Sequence, residues 1–216
     1  MPLPENIAAV IFDMDGTLID SLGVWADSDR IFAEELGLSY DAKISAAMKK
    51  MHYVSACEYL KEYYALDMSA EEIGARIMEI VREKYLHEIP LKPYVLDVMR
   101  ALRSRGVKMC VATSNDKSLA EGALKNLGIY DMLEFVITSD EVGVGKESPL
   151  IFTRAAEMMC VSPQNTAVFE DSVHAAESAA AAGFFTVGIY DGKYNNEFEE
   201  MKRTADMTVK SFGELM

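Results

Sequence analysis

The stretch AAVIFDMDGTLID, residues 8–20, is an apolar run that stops abruptly on two aspartates, a glycine and a threonine. Residues 7–12, IAAVIF, have the short, unbroken apolar character expected of a parallel strand covered on both faces. Asp13 and Asp15 stand just beyond it in an acidic chain, where their repulsion costs free energy unless a proton or a cation relieves it. A strand end that carries charge chemistry is the expectation.

Similar runs recur downstream. VKMCVAT (107–113), FVITS (135–139), NTAVFE (165–170) and FFTVGIY (184–190) each follow a segment of helical spacing, and Gly106, Gly128 and Gly183 mark helix ends. Strands alternating with helices require right-handed crossovers and a parallel sheet with helices on both faces. The predicted fold class is α/β, with a Rossmann-like parallel-sheet core.

Between the first and second strands lies a long segment rich in helix formers and poor in strand signal. WADSDRIFAEELG, ISAAMKKMHYVSACEYLKEYYA and SAEEIGARIMEIVREKYLHEI place apolar residues at helical spacing. Residues 20–90 are therefore read as an inserted helical cap, and residues 1–19 plus 91–216 as the α/β core. The chain returns at IPLKPY, where Pro90 and Pro93 break helix.

The 216 residues suffice for one good core plus a satellite. A formal net charge of −14, with no cluster of Lys or Arg, excludes nucleic acid as a natural partner. The opening MPLPENIAAVIFD has no basic start, and its apolar run is too short for a bilayer, so no membrane partner and a cytoplasmic location are expected. A monomer or homodimer is expected. Cys57, Cys110 and Cys160 have no pairing or ligand spacing and read as small buried hydrophobes.

In open parallel sheets, ligands gather beyond the carboxyl ends of the strands. Those ends here are Asp13, Thr113, Ser139 and Glu170, with Asp15, Asp171 and Lys146 close behind in sequence. So many acids in one cleft need more neutralisation than one lysine supplies. Mg2+ suits an all-oxygen site, keeps its waters and favours phosphate, so the implied small-molecule substrate is a phosphate ester.

This set, in this order, resembles the haloacid dehalogenase superfamily over essentially the whole chain. The DxDGT signature stands intact as Asp13, Met14, Asp15, Gly16 and Thr17; Thr113 in VATSND, Lys146, and Glu170 with Asp171 match the later motifs. The resemblance implies a phosphotransferase in which Asp13 attacks phosphorus and Asp15 acts as acid and then base. Lys146 and Thr113 would donate to the phosphoryl oxygens. It also implies magnesium on Asp13, Glu170 and Asp171, with the Asp15 backbone carbonyl contributing. Gly16, Ser114 and Asn115 would contact phosphate or substrate, and in the cap Trp25, Lys49 and His52 would face it.

Bland readings compete with this one. DMDG could be a calcium loop, but Gly16 comes too early and residue 24 is Val where a Glu is required. GVGKES is not a phosphate-binding P-loop, because Glu147 follows the lysine. Thr113 and Asn115 could merely cap a helix starting near Asp116, and His52, His87 and His174 read as helix surface.

The expected function is a magnesium-dependent phosphatase of a small metabolite, a sugar phosphate being one candidate. A sugar phosphomutase like β-phosphoglucomutase is the alternative, weakened because the histidine those enzymes place ten residues beyond the second aspartate is Trp25 here. A non-catalytic binding module ranks last, since both aspartates are present. One further departure is KESPL, which keeps Pro149 but lacks the proline that many relatives place directly after the lysine.

Overall fold

The structure, a computed structural model, describes residues 2–48, 51, 53–192 and 197–216. In chain order the strands are β1 (Ala9–Phe12), β2 (Lys108–Thr113), β3 (Val136–Thr138), β4 (Thr166–Glu170), β5 (Phe185–Ile189) and β6 (Met207–Val209). The helices are α1 (Leu22–Glu35), α2 (Ala42–Met48), α3 (Tyr53–Tyr64), α4 (Ala70–His87), α5 (Val95–Ser104), α6 (Lys117–Asn126), α7 (Ser139–Val142), α8 (Leu150–Met159), α9 (Val173–Ala181) and α10 (Phe198–Thr204). The chain divides into two compact units, Met1–Ser21 with Ile89–Met216, and Leu22–Glu88.

The first unit holds one six-stranded sheet in the order β3-β2-β1-β4-β5-β6, with every pairing parallel. This is the α/β fold the strand–helix alternation predicts. β1 lies at the centre, with Ile11 level with Cys110 on one side and Val168 on the other. The chain winds outward to β3 from one side of β1 and to β6 from the other, so the switch point falls between β1 and β4. Both faces of β1 are buried, which is why its sequence shows no polar alternation.

One face packs Ile11, Ala112 and Val168 against Phe152 of α8 and Ala175 and Ala179 of α9. The other carries an aromatic cluster, with Phe12 and Phe169 at 5.0 Å and Phe169 stacked on Phe212 at 5.7 Å. Such aromatic pairs each contribute about 0.5–1.5 kcal/mol beyond the area they bury. Gly106, Gly128 and Gly183 take positive φ after their helices, as their place in the sequence requires.

The second unit is helical. Phe32, Ile44, Cys57, Leu60, Ile73, Ile77 and Ile80 form its core. Ser69 and Glu72 close a capping box at the start of α4, satisfying donors that an uncapped helix leaves open.

Two expectations need correction. Cys57 and Cys110 are buried, but Cys160 is exposed: it ends α8 with φ of +56°, which turns it out of the apolar run that precedes it. The cap of α6 is Asp116, whose carboxylate accepts from the Leu119 N–H at 2.9 Å, leaving Thr113 and Asn115 free of that task. Among the described residues no helix is long and apolar enough to cross a membrane.

Candidate active site

β1 ends where its last hydrogen bond to β4 forms, from the Asp13 N–H to the Phe169 carbonyl at 2.9 Å. The chain then turns at once. Gly16 adopts φ of +81°, its N–H donates to the Ile19 carbonyl at 3.0 Å, and the Ile19 N–H donates to the Met14 carbonyl at 3.0 Å. An L side chain at Gly16 would strain this turn, so glycine is required on backbone grounds. The turn leaves Asp13 and Asp15 facing one cleft of about 400 Å3, all of it within the first unit.

That cleft gathers residues from three strand ends and one loop. Asp13 and Asp15 follow β1, Thr113 and Ser114 end β2, Lys146 comes from the loop after α7, and Glu170 and Asp171 end β4. Glu147, Ser172 and His174 also line it. Ser139 opens α7, one residue past β3, and its hydroxyl lies 3.0 Å from that of Ser114.

Lys146 is the electrostatic hub. Its ammonium donates to Asp13 Oδ1 and, at 2.6 Å, to Glu170 Oε1, and all three side chains are nearly buried. Burial alone would lower the lysine's pKa, but the two carboxylates override it and hold it above its ordinary value. An ammonium has three donors, so one N–H remains for a further acceptor.

One ammonium does not satisfy the acids. Burial pushes Glu170 up to about 7, against the opposing pull of Lys146. Burial and the charges of Asp13, Glu170 and Asp191 push Asp171 up to about 9. Asp13 Oδ2 is buried without a hydrogen-bond partner, and oxygens of Asp13, Glu170 and Asp171 lie within 4.8 Å of one another. An all-oxygen set with an orphaned carboxylate oxygen fits a hard divalent cation. Asp15 lies outside this cluster: its Oδ1 accepts from the Ser21 hydroxyl at 2.6 Å, and Asn115 Nδ2 approaches its Oδ2 at 3.4 Å.

Thr113 is buried, and its Oγ1 accepts from the Asn115 N–H at 3.0 Å. Because the hydroxyl oxygen is used as an acceptor there, its proton stays available to a bound group. Asn115 Oδ1 accepts from the Asp116 N–H, so Asn115 braces the loop and reaches toward Asp15.

Of the residues expected from the sequence, Asp13, Asp15, Thr113, Ser114, Lys146, Glu170 and Asp171 line the one cleft, and Gly16 forms the turn that follows Asp15. Trp25 falls on α1, in the helical unit. Lys49 and His52 lie outside the described residues. Ser21, within the stretch 20–25 expected to face substrate, was not singled out, and His174 and Glu147 were not expected to matter. His174 follows Asp171 by three residues, a proximity the sequence could have flagged, whereas nothing marks Ser21 beyond its nearness to Asp15.

The family model for haloacid dehalogenase-like hydrolases matches residues 7–183. The chain is 29% identical over 185 residues to the fructose-1-phosphate phosphatase of Escherichia coli, covering 86% of this chain and 97% of that one. It is 28% identical over 175 residues to a phosphorylated carbohydrates phosphatase of Thermotoga maritima, covering 81% of each. A crystal structure from Thermotoga maritima, of a protein provisionally named β-phosphoglucomutase, superposes with a TM-score of 0.84 at 27% identity, covering 97% of both chains.

Proposed function

The chain belongs to the haloacid dehalogenase-like hydrolases and is a phosphoric monoester hydrolase; from that premise we propose a magnesium-dependent phosphatase of a small sugar phosphate, working through an aspartyl phosphate on Asp13. The observation that carries this reading is the buried, unpartnered Oδ2 of Asp13 beside Lys146, Glu170 and Asp171.

Asp13 attacks phosphorus in line, forming the O–P bond of an acyl phosphate as the ester O–P bond breaks. Asp15, held by Ser21, gives its proton to the departing alkoxide. The resulting carboxylate then takes a proton from the water that attacks the phosphoryl group, which releases phosphate and restores Asp13. Lys146 offers its remaining N–H, and Thr113 its free hydroxyl proton, to the phosphoryl oxygens, whose charge is largest in the transition state.

Asp13, Glu170 and Asp171, with the Asp15 backbone carbonyl, would hold Mg2+, which when bound supplies charge neutralisation for the phosphoryl group. The helical unit, Leu22–Glu88, is read as the part of the chain that selects the leaving group. The two carbohydrate-phosphate relatives support the sugar class.

A mutase reading draws on the likeness to the provisional β-phosphoglucomutase, against which stands Trp25 in place of the expected histidine. The deciding experiment is a phosphate-release screen over sugar phosphates with magnesium or with EDTA, alongside Asp13→Asn. Magnesium-dependent release that Asp13→Asn abolishes supports the phosphatase. Isomerisation of β-glucose 1-phosphate with no net release, or release that survives Asp13→Asn, overturns it.

A further inference from the structure

Lys146 stands on no regular element. It follows Gly145 in the loop between α7 and α8, in a turn where the Ser148 N–H donates to the Gly145 carbonyl at 3.1 Å. The next residue is Glu147, so no ring restricts the backbone beside the lysine. Its ammonium must nevertheless sit between Asp13 and Glu170.

A second tie comes from α9. The Ser178 hydroxyl donates to the Lys146 carbonyl oxygen at 2.6 Å. Ser178 is buried, and other buried residues along that helix, Ala175, Ala176 and Ala179, bring no polar side-chain atom. A serine inside a helix commonly bonds back to its own helix, and the Ala175 carbonyl stands 3.1 Å away to receive it. One hydroxyl has one proton, and the much shorter contact runs outward to the loop. Helix α9 begins at Val173, two residues past Asp171, so one rigid element bears on both the acid cluster and the backbone of the lysine.

We propose that Ser178 is a positioning residue for phosphoryl transfer, fixing the Lys146 peptide so that the ammonium is aimed at the phosphoryl oxygens before substrate arrives. The inference rests on the reading of Lys146 as a phosphoryl donor. Pre-set donors act at the transition state without reorganisation, so loosening one lowers kcat more than it raises KM.

The test is Ser178→Ala, assayed with p-nitrophenyl phosphate and magnesium and by inhibition with orthovanadate, which adopts the five-coordinate geometry of the transition state. The expected result is a kcat lower by about tenfold to 100-fold, KM within about twofold, vanadate inhibition weakened in step with kcat, and a circular-dichroism melt close to the parent's. Ser178→Cys, similar in volume but a weak donor, should fall between the two, and it carries the comparison if Ser178→Ala does not fold. An unchanged kcat overturns the proposal, as does a fall in kcat with vanadate inhibition unaltered, which means only a smaller folded fraction. Failure of the underlying reading shows separately, as parental turnover that survives Lys146→Met.

Discussion

Replacing Lys146 by Met should destabilise the metal-free protein in a pH-dependent way. The lysine side chain is 10% exposed, and its partners Asp13 and Glu170 are 8% and 2% exposed, so water does little to screen the charges left behind. Removing one member of a buried ion pair costs about 3–5 kcal/mol, because its partner stays buried and uncompensated. For a chain of this size that is a fall in melting temperature of about 6–20 °C, at about 2–4 °C per kcal/mol.

The sign of the pH effect follows from Glu170, which burial holds at about 7 against an ordinary 4.5. A carboxyl raised in this way contributes stability that is fully present below its ordinary value and is lost as pH rises through its folded value. Lys146 is the group that pulls Glu170 down, so without it the carboxyl rises further. Near pH 5 Glu170 keeps its proton in both proteins, so the substitution breaks only the pairing with Asp13 and its penalty is smaller. Near pH 8.5 only the parent carries an ionised Glu170 with a partner, and the penalty is full. Circular-dichroism melts of both proteins in EDTA at the two pH values measure the difference. Equal destabilisation at both, or none near pH 8.5, would refute the assignment of Lys146 as the buried counter-ion.

Three further outcomes follow from the same cluster. Asp171→Asn should raise the magnesium concentration for half-maximal activity by at least about tenfold, since even groups that only orient metal ligands cost that much; an unshifted magnesium titration would remove Asp171 from the ligand set. Magnesium should raise the parent's melting temperature more near pH 8.5 than near pH 5.5, because protons held by Glu170 up to about 7 and Asp171 up to about 9 compete with the cation; an equal rise at both would contradict this. Gly16→Ala should cost about 1–2 kcal/mol in denaturant unfolding, from its φ of +81°, and should lower kcat as well by shifting Asp15; a neutral substitution would show that the turn tolerates a side chain.

Much of this architecture is written locally in the chain. β1 and its neighbours were legible because strands buried on both faces read as unbroken apolar runs, and Asp13 was legible because charge cannot follow such a run without purpose. β6 escaped notice: Met207–Val209 is three residues long, too short for any period, and is set by its pairing with β5. Cys160 was misread because composition does not reveal the left-handed backbone that ends α8.

The site divides along the same line. Lys146 is an ordinary lysine by itself, and only its order among the other motifs singled it out. Ser21 and Ser178 act through single hydroxyls aimed at groups brought near by the fold, Asp15 in one case and the Lys146 carbonyl, from a helix 32 residues further along, in the other. No local pattern encodes such contacts.

The most direct measurement is rapid acid quench of the magnesium-loaded enzyme during turnover of a sugar phosphate, followed by peptide mass spectrometry. A phosphoryl group on the peptide containing Asp13, present in the parent and absent from Asp13→Asn, is the predicted result. Full turnover with no phosphorylated aspartate at any quench time, or phosphate found on another side chain, would contradict the account.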